Sequence, residues 1–390
     1  MAGRVLVACA SVSMSDRYTV DLANFLTDRQ ITVTIAPLTA VDSNLSTEYT
    51  TTPIPSGMTL LSNLDRVRLV ALKKPCQQAL ELLMSDHGTD VVIFVMKDAE
   101  NRFDVDQQWT RPSIFVLSLN YDNIPKTTRK IMTHFDVIVP TGLNAQAATS
   151  KALGTRPTSV VFPRFLTAAQ HRPDKKALRA AMGLNPDKFV FLLDINECLE
   201  IKSFDTVIKA FVQCIQSVPD FQRDALLVVN AYTTVQLVNV LKLETLTPNE
   251  INIFVPYYAD GHRRDDTLLE RLIECADVVV NVGSGGDFDV HANLAQQCDK
   301  LVLYTDTPRN REYYPFGLRV GETQVFYDGL AQGFLNLPAV GEVAGLLRQA
   351  FLSRHRLKTN AGARKRVQDF KMRHDRFAER WSSILSGYLL

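Results

Sequence analysis

Apolar residues along this chain come in short unbroken runs separated by polar or amphipathic segments. The runs are Val5–Ala8, Ile31–Ile35, Val91–Val95, Ser113–Leu117, Val137–Val139 and Ser159–Phe162, then Phe189–Leu193, Ala225–Val229, Ile251–Val255, Val278–Val280 and Leu301–Tyr304. Short apolar runs without alternation predict strands covered on both faces, as in a parallel α/β sheet. Between them, Tyr18–Leu26, Pro75–Met84, Ala145–Leu153, Phe204–Ile215 and Thr267–Cys275 carry the spacing of amphipathic helices. Alternation of strand and helix throughout predicts an α/β chain with doubly wound sheets. The Ser-, Thr- and Pro-rich stretch Thr39–Thr59 reads as a long loop.

The pattern breaks once. After Phe162-Pro-Arg-Phe comes the polar His171-Arg-Pro-Asp-Lys-Lys, then a short helix over Lys176–Met182 ended by Gly183. The expected organisation is a first domain over 1–165, a linker over 166–187, a second domain over 188–353 and basic amphipathic helices over 354–390. A length of 390 residues suits two domains. From Arg354 to Arg380 basic residues are opposed only by Asp369, Asp375 and Glu379, and Phe377, Trp381, Leu385 and Tyr388 recur at helical spacing. That tail is expected to pack back toward the first domain. Ligands of doubly wound sheets sit beyond the carboxyl ends of the strands, so the expected site is a cleft between two facing domains.

Composition narrows the classes. A 46% hydrophobic and 22% charged chain is globular. With 43 basic and 42 acidic residues the formal charge is +1, so nucleic acid is not an expected partner, the basic tail aside. No apolar run approaches a membrane span, and Met1-Ala-Gly-Arg-Val-Leu-Val-Ala reads as a first strand, not a signal peptide. The six cysteines are scattered without C-x-x-C, which suits buried thiols in a reducing, cytoplasmic setting. The seven histidines form neither H-x-x-x-H nor H-E-x-x-H, so no metal is expected. His134 reads as structural.

No G-x-G-x-x-G, G-x-x-x-x-G-K-[ST] or G-x-S-x-G occurs. Two segments carry chemistry instead. In the first, the strand from Phe189 enters the polar loop Asp194-Ile-Asn196-Glu197-Cys198-Leu-Glu-Ile201-Lys202 and then a helix ending near Ala210-Phe211. A lysine at a helix entrance, beside free N–H groups, can hold a phosphate; the alternative is an ordinary solvated lysine. In the second, the strand from Asp277 through Asn281 ends in Gly283-Ser284-Gly285-Gly286-Asp287, with a helix beginning near His291. Successive N–H groups in such a loop form an anion cradle; the alternative is a tight turn without ligand.

In this order, roughly 85 residues apart, the two segments resemble the nucleotide-sugar half of GT-B glycosyltransferases. The resemblance is to retaining family-four enzymes, large-DNA-virus members included. Lys202, Ala210-Phe211, Asp277, Asn281, Phe288 and Val290 stand in register with the family pattern, and Asp136-Val-Ile-Val-Pro-Thr-Gly and the helix around Trp381 match more weakly. The resemblance implies two facing Rossmann-like domains with an inter-domain cleft, and retaining transfer of a sugar from a UDP- or GDP-linked donor to an acceptor. It implies neither metal nor other cofactor, and virion association if the chain is viral. Its site residues would be Lys202, Asn196, Gly283, Ser284, Gly285, Gly286 and Asn293 for the donor, with Asp287 and His291 catalytic.

The chain also departs from that pattern. Glu197 stands where the family has arginine, Ile201 where the viral-type loop has a second one, and Gly286 and Leu294 (or Ala295) where it has two glutamates. A carboxylate facing a diphosphate costs about 1–4 kcal/mol at ~4 Å under intermediate screening. The segment Ser13–Tyr18, where the family has a glycine-rich acceptor loop, contains no glycine. A second reading is therefore a catalytically degraded homologue serving as a binding or structural module, with a protein partner or a second copy of itself.

Overall fold

Most of the unbroken apolar runs form inner strands of two sheets, while those holding Val137–Val139 and Ile253–Phe254 supply strands at the sheet edges. The computed structural model describes residues 3–9, 17–38, 49–52, 66–72, 77–97, 105, 107–119, 123–154, 160–162, 174–195, 203–231, 253–254, 266–283, 290–307, 310–311, 314, 317–321, 323–329, 333–355, 365, 368–369 and 375–389. The chain divides into two compact units. One comprises Met1–Arg164, Tyr327–Phe334 and His374–Leu390, the other Phe165–Phe326 and Leu335–Arg373.

The first unit is built from β1 (Arg4–Cys9), α1 (Arg17–Thr27), β2 (Thr32–Pro37), β3 (Tyr49–Thr52), β4 (Val67–Leu72), α2 (Gln77–His87), β5 (Val91–Lys97), β6 (Ser113–Ser118), α3 (Lys126–Met132), β7 (Val137–Pro140) and α4 (Leu143–Leu153). Its seven strands lie in the order β3-β4-β2-β1-β5-β6-β7. All neighbours are parallel except β3 with β4. Tyr49–Thr52 thus corrects the loop expected over Thr39–Thr59: four of its residues make an antiparallel edge strand. The run at Ser159–Phe162 is also corrected. Its residues from Val160 are buried and tied to β7 by Val161 N–H to Pro140 carbonyl at 2.9 Å, but form no strand.

The second unit contains α5 (Lys175–Ala181), β8 (Phe189–Ile195), α6 (Phe204–Ser217), α7 (Phe221–Asp224), β9 (Ala225–Ala231), β10 (Ile253–Phe254), α8 (Asp266–Cys275), β11 (Val278–Asn281), α9 (Val290–Gln297), β12 (Leu301–Thr305) and β13 (Leu318–Val320). Its six strands run parallel in the order β10-β9-β8-β11-β12-β13. A separate two-stranded sheet, β14 (Thr323–Asp328) with β15 (Gly333–Pro338), precedes α10 (Val340–Leu352). Gly317 enters β13 at φ +139, with a would-be Cβ only 2.2 Å from the Val302 carbonyl, so no larger residue fits there.

Each sheet is covered on both faces. In the second unit one face packs Phe191, Leu193, Val229 and Val280 against α6 and α10, with Phe211, Phe221 and Phe351 fully buried. In the first unit, one face packs with α1 and with α11 (Phe377–Leu389), whose Phe377, Trp381 and Leu385 are buried among Val7, Phe25 and Val116. Tyr327 and Phe334 of the same unit face each other with ring centroids 5.0 Å apart, and the Phe334 N–H donates to Asn123 Oδ1 at 2.9 Å.

Among the described residues Cys9, Cys214, Cys275 and Cys298 are buried free thiols, and burial pushes Cys214 up to about 11. No described helix is long and apolar enough to cross a membrane.

Candidate functional site

In a doubly wound sheet the crevice opens where strand order reverses. In the second unit the chain leaves β8 toward β9 and β10 on one side, then returns to lay β11, β12 and β13 on the other. The reversal therefore falls between β8 and β11, which pair through Phe191↔Val278, Leu192↔Val279 and Leu193↔Val280. The two chemistry-bearing segments of the sequence are the continuations of these two strands. Strands far apart in the chain thus bring Asp194 and Asn281 to one end of one crevice.

The helix α6 follows the first segment. Its cap, Ser203, adopts a left-handed conformation (φ 50, ψ 40), which costs a non-glycine residue about 1–2 kcal/mol. Ser203 is buried, and its hydroxyl has no hydrogen-bond partner among the described residues. The first-turn N–H groups of this 14-residue helix lack a side-chain cap among the described residues and suit an anion, while the exposed Asp205 of that turn is paired with Lys209. Lys202 itself lies outside the described residues, as do Asn196, Glu197 and Ile201.

Gly283 ends the described part of the second segment and is buried; Ser284, Gly285, Gly286 and Asp287 lie outside it. α9 then packs against β11 and β12. His291 sits in its first turn, with only its backbone described. Asn293 is 1% exposed; its Oδ1 accepts from Gln297 Nε2 at 3.0 Å, while its Nδ2 has no partner among the described residues. Leu294 and Ala295, where the resemblance places a glutamate, are both buried in α9.

Asp277 has a different place. It precedes β11, at the end of the strands opposite the crevice, and its Oδ2 accepts from the Val190 N–H at 2.7 Å. Arg179 donates to the same oxygen at 2.6 Å and to the carbonyls of Cys275 and Lys188 at 2.8 Å each; Lys175 holds the other oxygen. Burial alone would raise this carboxyl, but the charges of Lys175 and Arg179 outweigh it and hold Asp277 below the usual carboxylate range. Asp136 repeats the device before β7: its Oδ2 accepts from Ser113 N–H and Oγ at 2.8 and 2.9 Å. Their place in the family pattern is thus explained by strand alignment. His134 also lies at the amino end of β7, its Nδ1 buried without a partner among the described residues.

Beyond β12, Asp306 binds Arg311 through two bonds of 2.6 and 2.9 Å, which hold its carboxyl below the usual range. Asn310 Nδ2 donates to the Thr305 carbonyl at 2.7 Å, tying this turn to the strand end. Asn230 and Tyr304, to which the sequence gave no role, also gather at the carboxyl ends, beside the already noted Asp194 and Asn281. Only their register across four strands brings them together. In the first unit the reversal falls between β1 and β5; the Ser11–Asp16 stretch after β1 lies outside the described residues.

Two parallel Rossmann-like sheets in one chain, each reversing its strand order about a central strand, define the GT-B architecture of glycosyltransferases. Across its whole length the chain is similar in structure to sucrose-phosphate synthase from Thermosynechococcus elongatus: TM-score 0.69, 12% identity, 99% of this chain and 98% of that one. It is similar as well to HepE from Anabaena, solved with UDP and glucose (TM-score 0.64, 13% identity, 98% and 100% covered). A third similar structure is α,α-trehalose-6-phosphate synthase from Burkholderia multivorans (TM-score 0.63, 12% identity, 99% and 97% covered). No protein-family model and no curated protein sequence matches the chain. Likeness at this identity establishes the fold.

Proposed function

We propose that the protein transfers a glycosyl group, with retention, from a UDP- or GDP-linked sugar bound on the second unit to an acceptor bound on the first. The observation that carries the reading is the adjacency of β8 and β11 at the reversal of strand order. It brings together the strand ends from which the chain continues into the lysine-bearing and the glycine-rich segments, which supports one shared site. In this reading Lys202, the first-turn N–H groups of α6 and the backbone from Gly283 to Gly286 receive the charge of the departing nucleoside diphosphate. Asn196 and Asn293 contact the donor, and Asp287 and His291 face the reacting carbon. The similar structures include HepE solved with UDP-glucose, which supports the donor class.

The test is calorimetry on the full chain with UDP, GDP and their common sugars. Saturable binding of one nucleotide is expected, about tenfold weaker in Lys202→Ala, as for the loss of a charged hydrogen bond. No binding at millimolar ligand to a folded sample overturns the reading. A second reading, a degraded homologue retained as a binding module, is favoured by one observation. The position for the second family glutamate is a buried apolar residue, Leu294 or Ala295, that presents no carboxylate to a ligand.

A further inference from the structure

Four adjacent strands of the second sheet change from apolar to polar at one level. Asn230 on β9 pairs with Asp194 on β8. The register Leu193↔Val280 sets Asp194 beside Asn281 on β11, and Asn281 pairs with Tyr304 on β12. Residues opposite one another project to the same face of a sheet, so the four side chains make one row across the reversal of strand order. One level deeper, the same face carries Val228, Leu192, Val279 and Val302, all buried. The row has internal bracing. Asn230 Nδ2 donates to Asp194 Oδ1 at 2.7 Å, Asn281 Nδ2 donates to Tyr314 Oη at 3.2 Å, and the Tyr304 and Tyr314 rings lie 5.4 Å apart. Asn230, Tyr304 and Tyr314 are buried, while Asp194 and Asn281 are partly exposed. Buried partners therefore orient the two members that reach solvent.

We propose that this row is a hydroxyl-recognising subsite for the sugar of the donor, with Asp194 its specificity-determining residue. The inference rests on the transferase reading and deepens it. A carboxylate accepts from sugar hydroxyls, a primary amide both donates and accepts, and a phenol ring offers a flat apolar wall. Within the four residues the one charge is the Asp194 carboxylate, while Arg319 stands beyond Tyr304 on β13 and bounds the row on that side, so the middle of the row suits a polyol. The phosphates have a separate place, the amino end of α6. The anion-binding backbone at the helix entrance is thus separate from the Asp194 carboxylate in the middle of the row.

The experiment is titration of the full chain with UDP, UDP-glucose, GDP and GDP-mannose, for the wild type and for Asp194→Asn, with thermal melts confirming the fold. Asp194→Asn is expected to leave nucleoside diphosphate affinity within about twofold and to weaken the preferred nucleotide sugar about tenfold or more. Asn281→Ala, which leaves the Asp194–Asn230 pair intact, is expected to show the same selective loss. Parallel loss of both ligand types, or no change in either, overturns the subsite. If the wild type binds neither nucleotides nor nucleotide sugars, the transferase reading fails by itself. The row is then read by saturation-transfer NMR with free glucose and mannose. Signals lost in Asp194→Asn support it, and signals absent from the wild type overturn it.

Discussion

Three aspartates among the described residues stand one residue ahead of a strand and do the same work. Asp90, Asp136 and Asp277 each donate a backbone N–H to the carbonyl of Arg4, Ser113 or Val190, at 2.8, 3.1 and 2.8 Å. Each carboxylate accepts the N–H of that same residue. Two bonds to one residue fix the register of neighbouring strands at their first step, before the apolar run begins. Asp277 alone adds a buried cation, Arg179. Breaking a buried pair from one side costs about 3–5 kcal/mol, so Asp277→Asn should lower unfolding free energy by roughly that much in urea titrations. Asp136→Asn, without an ion pair, should cost about 1–2 kcal/mol. Acid should act through the same group. Its folded pKa is depressed, so its contribution is complete above the ordinary value of 3.8 and is lost as pH falls through the folded value. Thermal melts should therefore show an acid limb that flattens in Asp277→Asn.

At the scale of elements, most inner strands were legible because burial on both faces leaves a continuous apolar run; β4 was missed because the exposed Arg68 interrupts its apolar residues. β3 was missed because an edge strand needs no apolar face, and Tyr49-Thr-Thr-Thr reads as loop chemistry. α10 escaped for another reason. Gly341 and Gly345 lower its helix propensity, and its helical state follows from the burial of Val343, Leu347 and Phe351. α11 was legible by its spacing. With Trp381 fully buried, Trp381→Ala should destabilise the first unit by about 3–5 kcal/mol. Differential scanning calorimetry checks this through the transition of that unit; a change below about 1 kcal/mol would mean that α11 contributes little to its core.

For the whole molecule, a formal charge of +1 leaves local charge to decide what the crevice accepts. The segments proposed for the site were read from glycines, a lysine and their order, and most of their residues lie outside the described ones. The row Asn230, Asp194, Asn281 and Tyr304 was not legible, since no local pattern reveals which strand will lie beside which. Glu197 is the sharpest whole-site test. In an active transferase adapted to it, Glu197→Arg should lower turnover about tenfold or more, because a misplaced cation shifts the donor. If turnover is absent in the wild type and the substitution instead creates nucleotide affinity, the degraded reading stands. Both results come from one coupled assay of nucleotide release and binding.

The first unit also carries a consequence for how the chain is made. Its sheet emerges from the ribosome complete by Arg164, yet the helix that covers Val7, Phe25 and Val116 is translated roughly 200 residues later. At the usual 5–20 residues per second, that apolar face waits about 10–40 seconds for its cover. Throughout that interval the nascent chain exposes an apolar face, and α11 is the helix that ends the exposure.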